Sequence, residues 1–199
     1  MRRRWRFESG ARRRLLPFLA LLLTASAVRG AVFRELSVSH EQGVYHVYAD
    51  VLIEAPLDEV RYVITDYAHF TWISPAVLES RVLERFPDGT LEIYTVTRAC
   101  AAFFCRRLEQ VQRVRRLSEN EIVAETMPER SNAEYGLTRW LIEAESTGTR
   151  LRWETSIEPR FWVPPLIGPA LMRRALFEQG KSGIRGIEIL ARRRAGLAE

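Results

Sequence analysis

The side chains that could do chemistry in this chain of 199 residues are few and widely spaced. The three histidines, His40, His46 and His69, lack metal-ligand spacing, and neither a Gly-x-Ser-x-Gly nucleophile elbow nor a His-Glu-x-x-His zinc motif occurs. His46 falls in a strand-like segment and is expected to be structural. His69 lies in an aromatic segment and could act as an acid or base in a cavity. The sequence therefore contains no catalytic constellation and predicts no metal site.

A tripeptide, Gly180-Lys181-Ser182, matches the end of a phosphate-binding loop, but its setting is wrong for that role. Such a loop must follow a strand and leave its backbone N–H groups free to wrap phosphate. Here the tripeptide falls inside a segment with helical periodicity, where those N–H groups are already bonded. We therefore expect no nucleotide and no other cofactor.

The two cysteines, Cys100 and Cys105, border two predicted strands. A four-residue hairpin loop between those strands would bring the two sulfur atoms together. A structural disulfide is the favoured interpretation, and such bonds are typical of oxidising compartments. The alternative, a redox or metal pair, lacks the Cys-x-x-Cys spacing.

Aromatic residues provide the positive signal for a binding site, because pockets for small molecules are lined mainly by apolar and aromatic side chains. The candidate lining residues are Tyr67, Phe70, Trp72, Tyr94, Trp140, Trp153 and Gly183, with Arg139 and Thr155 as the polar minority. If Trp140 faces inward, Arg139 must face solvent; otherwise Arg139 is a cation in an apolar setting and needs a partner. In the competing interpretation the aromatic residues simply fill the core.

The hydrophobic pattern predicts the elements that must position these side chains. A period of two predicts strands over residues 44–54, 77–86, 91–99, 106–117, 122–127, 133–144 and 149–158. Two short helices are predicted between the first two of these strands, one beginning at Pro56 and one over residues 66–73.

A long C-terminal helix is predicted over residues 166–194, where the period changes to about 3.6. Three glycines, Gly180, Gly183 and Gly186, interrupt this helix. Each destabilises a helix by up to about 1 kcal/mol relative to alanine. They either let the helix approach the sheet closely or leave empty volume beside it.

Two stretches of sequence resemble the START/polyketide-cyclase-like (SRPBCC, helix-grip) superfamily. The first is VYADVLIEAPLDEVRYVITDYAHFTWISPAVLESRVLE, and the second, PLIGPALMRRALFEQGKSGIRGIEIL, is similar to the capping helix of that family. The resemblance implies an α+β helix-grip fold, in which a curved antiparallel sheet of about seven strands wraps around the C-terminal helix. It also implies two short helices after strand one, which close one end of the cavity between sheet and helix.

Three functions remain compatible with this sequence. The favoured one is non-enzymatic binding or transport of an apolar small molecule, such as a lipid, quinone or polyketide-like compound. The second is a cyclase, aromatase or hydrolase that uses the same cavity, since cyclisation needs only shape and one or two acid/base groups. The third is an adaptor that presents a surface to a protein partner. The absence of paired acid/base residues and the predicted export favour binding over catalysis.

The first 27 residues have the three parts of a secretory signal peptide. Seven arginines precede a run of nine largely apolar residues, and Ala25 and Ala27 are the small residues expected before a cleavage site. The alternative is an uncleaved membrane anchor, although this run is shorter than the roughly 20 residues of a membrane span. The predicted organisation is therefore a signal peptide over residues 1–27 and one domain over residues 28–199, in the periplasm or secreted.

Cleavage after Ala27 would change the charge of the protein. It removes seven of the 30 basic residues and one of the 25 acidic residues, leaving 23 and 24 and a formal net charge of −1. No basic run with interleaved aromatic residues survives, so we expect no nucleic-acid partner. Contact with a membrane is expected to be transient at most.

We predict that the exported protein begins at or near Val28, because the small residues of the cleavage site immediately precede it. N-terminal sequencing or peptide-mass analysis of the periplasmic fraction checks this. Recovery of an intact Met1 on membrane-bound protein would show that the segment is an anchor.

Overall fold

The computed structural model describes residues 30–101 and 104–197, in which an antiparallel sheet is crossed by one long helix. The predicted signal peptide, residues 1–27, lies outside the described residues. The strands are β1 (Val32–Glu41), β2 (Val44–Ile53), β3 (Val77–Arg85), β4 (Leu91–Ala101), β5 (Phe104–Ser118), β6 (Glu121–Thr126), β7 (Ala133–Glu145) and β8 (Gly148–Pro159). The helices are α1 (Leu57–Thr65), two short 3-10 helices (Tyr67–Trp72 and Pro128–Arg130), and α2 (Gly168–Arg194).

The sheet has the strand order β1-β2-β8-β7-β6-β5-β4-β3, and every neighbouring pair is antiparallel. Its concave face packs against α2, which is the predicted helix-grip arrangement. The predicted fold class is confirmed, with eight strands in place of about seven. Within the described ranges, no helix is long and apolar enough to cross a membrane.

The additional strand is β1, which pairs with β2 at one edge of the sheet. The predicted strand at residues 44–54 is therefore the second of the sheet, and the two short helices follow strand two. A register shift between Phe33 and Glu35 breaks the alternation of β1, which explains why a search for period two misses it. Gln42 and Gly43 join the two strands with φ values of 51° and 92°, as a two-residue hairpin turn requires.

Helix α1 and the 3-10 helix after it close one end of the sheet. Pro56 precedes α1 and fixes its entry, while Val60, Val63 and Ile64 form its buried face. The C-terminal end of α2 is held to α1 by an ion pair between Arg194 and Glu59, with 2.8 Å between nitrogen and oxygen.

The convex face of the sheet carries cross-strand ion pairs. Asp50 receives two hydrogen bonds from the guanidinium of Arg150, at 3.0 and 2.6 Å, and these hold the pKa of that carboxyl below its usual range. Further pairs between strands are Arg34–Glu145, Arg113–Glu92, Arg115–Glu125, Arg139–Glu121 and Arg152–Glu143. Several arginines of the strands are thus partly solvated and paired, which is how alternating charges on an exposed face are usually arranged.

The first described residues are fixed by a buried carboxylate of α2. Glu188 is 5 % exposed, and its Oε2 accepts a hydrogen bond from the backbone N–H of Ala31 at 2.6 Å. Burial raises the pKa of Glu188, and the bond from Ala31 opposes that shift. The beginning of β1 is therefore attached to the C-terminal half of α2.

A disulfide joins Cys100 to Cys105, with 4.0 Å between their Cα atoms. The two cysteines are directly opposite each other at the end of the β4–β5 hairpin. The predicted structural disulfide is therefore present. Closing so small a loop contributes roughly 2 kcal/mol to stability.

The three glycines of α2 do different things. A side chain at Gly186 would overlap the backbone carbonyl of Ile73, and one at Gly180 would lie 3.1 Å from the indole ring of Trp153. At Gly183 an added Cβ would have no neighbour within 4 Å. Both of the alternatives left open by the sequence therefore occur: close approach to the sheet at Gly180, and empty volume at Gly183. Gly186 allows a different close approach, to the segment that follows the 3-10 helix.

These contacts predict opposite effects for two alanine substitutions on one helix. Gly186→Ala should destabilise the protein by about 1–3 kcal/mol, because backbone must move to make room for the methyl group. Gly183→Ala should stabilise it by up to about 1 kcal/mol, since the helix gains propensity without a clash. Urea unfolding of both variants measures the free energies. Equal effects would contradict the packing described here.

Candidate ligand-binding site

A cavity of about 250 Å³ lies between the concave face of the sheet and α2. The sheet contributes one wall, through inward-facing residues of β2, β4, β5, β6, β7 and β8. The 3-10 helix over Tyr67–Trp72 borders one end, and α2 covers the cavity from Met172 to Ile187. The space is bounded largely by apolar atoms, which is typical of sites for small molecules.

Six of the nine residues predicted to line a pocket are brought together around this cavity. They come from four separate parts of the chain and are Tyr67, Phe70, Trp140, Trp153, Thr155 and Gly183. Their position beside the same empty space agrees with the prediction, whereas their role in binding a ligand stays a prediction.

The other three predicted residues lie away from the cavity. Trp72 is 65 % exposed and borders a separate surface groove with Lys181, because the 3-10 helix turns it outward. Tyr94 is on the convex face of β4, where it stacks with the guanidinium of Arg81. Arg139 also faces outward and pairs with Glu121 at 2.6 Å. The orientation of β7 thus follows the alternative in which Trp140 faces inward.

His69 likewise lies outside the cavity lining. Its ring is tilted by 31° against that of Trp72, with 4.2 Å between centroids, and its Nδ1 lies 2.9 Å from the carboxylate of Asp66. This side chain is 46 % exposed and does not line the cavity, so it is not placed there as an acid or base. No group of three or more potential metal ligands occurs in the parts of the chain that the structure describes.

Trp140 and Trp153 form part of the floor beneath α2. They are cross-strand partners in β7 and β8, and their rings stack with 5.5 Å between centroids and 13° between planes. Gly180 allows the helix to lie directly on the ring of Trp153. The indole nitrogen of Trp153 is buried and has no hydrogen-bond partner within the described ranges.

A band of neutral polar side chains crosses the concave face, and sequence reasoning missed most of it. Its members are Thr95, Gln110, Gln112, Thr126, Thr138 and Thr155, on five successive strands. Two internal bonds join some of them: Gln110 to Thr126 at 2.7 Å, and Thr138 to Thr155 at 2.7 Å. The alternation of β5 could have predicted the two glutamines of this band. Gln110 and Gln112 alternate with the outward residues of that strand and share a face with Leu108 and Val114.

Several polar groups of the cavity wall have no protein partner among the described residues. The hydroxyl of Thr95 and the carboxamide of Gln112 make no hydrogen bond there, although both residues line the cavity. The phenol hydroxyl of Tyr67 is also without a partner in this part of the chain, and the residue is only 4 % exposed. These groups are therefore available to bond a molecule that reaches them, and the buried indole nitrogen of Trp153 in the same wall also lacks a partner among the described residues.

The two tyrosines of the cavity, Tyr45 and Tyr67, remain protonated. Burial raises the pKa of both phenols, most strongly for Tyr67, which the sheet and the short helices enclose. At neutral pH each hydroxyl can therefore donate a hydrogen bond to a ligand oxygen.

The electrostatic character of the lining follows from its composition. No Asp, Glu, Lys, Arg or His contributes to the cavity among the described residues. Chemically, this arrangement can enclose an apolar body, stack against aromatic rings and bond neutral polar atoms. The lining contains no carboxylate–histidine pair and no nucleophile–base pair of the kind that acid/base catalysis commonly uses.

The fold is similar to that of several solved proteins. The Zhui aromatase/cyclase from Streptomyces sp. R1128 superposes with a TM-score of 0.64 at 16% identity, covering 78% of this chain and 99% of that one. A START superfamily protein from Mycobacterium smegmatis superposes with a TM-score of 0.61 at 15% identity, covering 75% of this chain and 98% of that one. A STAR-related lipid transfer protein from Xanthomonas axonopodis superposes with a TM-score of 0.57 at 14% identity, covering 75% of this chain and 96% of that one. No curated protein matches the chain in sequence.

The similar structures thus include lipid-transfer proteins as well as aromatase/cyclases, and at these identities they establish the fold alone. Family membership is established by a family model, which matches residues 45–187, from the second strand to the C-terminal half of α2. The matched region contains the cavity and all of the elements that line it. The chain belongs to the polyketide cyclase / dehydrase and lipid transport family.

Proposed function

We propose that this protein binds an uncharged, largely apolar small molecule in the cavity and carries it without chemical change. The observation behind this proposal is a wall without ionisable side chains other than two protonated tyrosines. Burying an unpaired carboxylate or phosphate in such a wall would cost several kcal/mol, roughly, so a charged group of the ligand must stay outside.

The polar band indicates that the ligand also carries neutral oxygen atoms. Tyr67, Gln112 and Thr95 can each bond a neutral oxygen, while Trp140 and Trp153 offer flat apolar surface. A ring system or short chain with one or two carbonyl or hydroxyl groups fits this combination. The cavity volume of about 250 Å³ is slightly below the roughly 300–1,000 Å³ of typical small-molecule sites, which favours a compact ligand.

The compartment proposed for this activity is the periplasm or the extracellular space. The disulfide between Cys100 and Cys105 is compatible with an oxidising environment. Export would separate the protein from the cytosolic acyl carriers that deliver reactive polyketide chains, which supports binding over biosynthesis.

A second candidate function is aromatase or cyclase activity in the same cavity. It is favoured by Tyr45 and Tyr67, which line the cavity and carry weakly acidic hydroxyls. Incubation with a linear poly-β-ketone thioester distinguishes the carrier from the cyclase. With a carrier, the amount of cyclised product should equal that of a protein-free control. A cyclised product that disappears in Tyr67→Phe would establish the enzyme instead.

Filling the cavity tests the binding proposal directly. Nile red, an uncharged fluorescent probe, should bind the wild type, and Gly183→Leu should weaken binding at least tenfold because leucine would occupy the open space beside α2. Ser182→Leu is the matched control, since Ser182 faces a separate surface groove. Both affinities are measured by fluorescence titration.

Stability measurements keep this test decisive. A cavity accepts added volume with little loss of stability, whereas a packed core does not. If Gly183→Leu is strongly destabilised and the wild type binds no Nile red, the interior is a filled core and the proposal fails. If the wild type binds Nile red and Gly183→Leu does not, native mass spectrometry of protein purified from the cells that produce it would identify the natural ligand.

Removing one hydroxyl tests the role of the polar wall. Tyr67→Phe should weaken binding of a small quinone about tenfold, the effect of one lost hydrogen bond of about 1.4 kcal/mol. It should leave the free energy of unfolding nearly unchanged, because this hydroxyl has no partner among the described residues. Tyr94→Phe removes the same group from the convex face and should bind like the wild type. Equal affinities of all three proteins would contradict the assignment of Tyr67.

A further inference from the structure

A buried carboxylate of α2 lies against the backbone nitrogen that begins the first strand. Glu188 is 5 % exposed, and its Oε2 lies 2.6 Å from the nitrogen of Ala31. Its Oε1 is also buried and has no hydrogen-bond partner in the described part of the chain. One N–H therefore serves a group with two acceptor atoms. A buried carboxylate is costly unless its charge is balanced and both of its oxygens are bonded.

Neighbouring side chains balance this charge only in part. Arg192 and Arg185, both on α2, lower the pKa of Glu188, whereas Glu54 raises it. Burial has the largest influence, and the pKa of Glu188 lies above its ordinary range. Among the described residues Arg192 pairs with Glu54, at 3.5 Å, and Arg185 is exposed. The site beside Ala31 thus has room in its chemistry for one more cation.

The chain next to this carboxylate has the composition of a cleavage site. Gly30 is exposed and precedes β1, which begins at Val32. It is a small residue, as expected immediately before a signal-peptide cut, and Val28 two positions earlier is uncharged. The bond after Gly30 lies three residues beyond the cut predicted after Ala27. A cut there would leave the whole of β1 in place.

Hydrolysis of the peptide bond between Gly30 and Ala31 would create the missing cation. The carbon–nitrogen bond breaks, and water supplies a hydroxyl to the new carboxyl group of Gly30 and a hydrogen to the nitrogen of Ala31. That nitrogen becomes an amine, which takes up a proton at neutral pH because the ordinary pKa of an α-amino group is about 7.7–8.0. A nitrogen with one N–H becomes a cation with three, already beside the carboxylate of Glu188.

We infer that proteolysis between Gly30 and Ala31 matures this protein, and that Glu188 is the binding site for the new N-terminal ammonium group. The ammonium would bond both carboxylate oxygens and balance their charge. Hydrogen bonds between ionised groups are roughly twice as strong as those between neutral groups. The inference moves the expected start of the exported protein from Val28 to Ala31. It needs no ligand, so its failure is distinguishable from failure of the binding proposal.

N-terminal sequencing is the first test, on protein from the periplasmic fraction of cells that express the full chain. The first residue should be Ala31. A mature chain that begins at Val28, or at any residue other than Ala31, overturns the inference, because its residue 31 would carry an amide and no charge.

The reactivity of the new amine tests its contact with the carboxylate. Glu188 should hold the pKa of the Ala31 amine above the ordinary range of about 7.7–8.0, because the carboxylate stabilises the ammonium form. At pH 7 the wild type should therefore react with acetic anhydride about tenfold more slowly than Glu188→Gln, as measured by peptide mass. Glu178→Gln removes an exposed carboxylate from the same helix and should react like the wild type.

Thermal unfolding gives a readout with a defined pH dependence. An amine whose pKa is raised by folding adds stability below its ordinary pKa, and this stability is lost as the pH rises through the raised value. The wild type should therefore exceed Glu188→Gln in Tm by about 5 °C at pH 7 and lose this advantage by about pH 11.

Two results overturn the contact between the amine and Glu188. One is equal acetylation rates for the wild type and Glu188→Gln. The other needs no variant and decides the matter if Glu188→Gln does not fold: an Ala31 amine of the wild type that titrates within the ordinary range of about 7.7–8.0.

Discussion

The structure depends on how closely one helix approaches one sheet. Gly186 places α2 against the backbone of Ile73, and Gly180 places it against the ring of Trp153. Ile73 follows the 3-10 helix and lies outside the sheet, so α2 is held by that segment at one point and by β8 of the sheet at the other. The cavity lies along this stretch of α2, and Gly183, between the two contacts, leaves it open because no side chain projects from that position.

Residues alternate between the two faces of the sheet, and the two faces differ in charge: the outward face is ionic and the inward face is neutral. Outward positions form ion pairs, and exposed ones such as Arg115 with Glu125 are screened by water, so they contribute solubility and only modest stability. Inward positions contain aromatic rings, threonines and glutamines, whose hydrogen-bonding groups carry no net charge. This separation lets the interior accept neutral polar atoms while it excludes ions, and it explains why catalytic pairs are missing from a wall that still contains polar groups.

Periodicity was sufficient for seven strands and for α2, even though β3, β5 and β7 contain register shifts, because enough of each segment keeps its alternation or helical spacing. It failed for β1, where a bulge between Phe33 and Glu35 reverses the faces within one strand. For the site, aromatic content led to Trp140 and Trp153, but parity alone could not decide between Trp140 and Arg139. Gln112 was missed because an inward polar residue resembles an outward one until the register with neighbouring strands is known.

The attachment of Ala31 to Glu188 has a consequence for the cavity wall. Glu188 lies twenty residues beyond Gly168 on α2, about 30 Å along the helix axis, so β1 begins beside the C-terminal half of that helix. Its neighbour Ile187 lines the cavity, and the Oε1 atom of Glu188 is buried without a hydrogen-bond partner among the described residues. Loss of the Ala31 bond would therefore leave both oxygens of a buried carboxylate unsatisfied next to the cavity lining, which couples the order of the first strand to the position of the helix that covers the cavity.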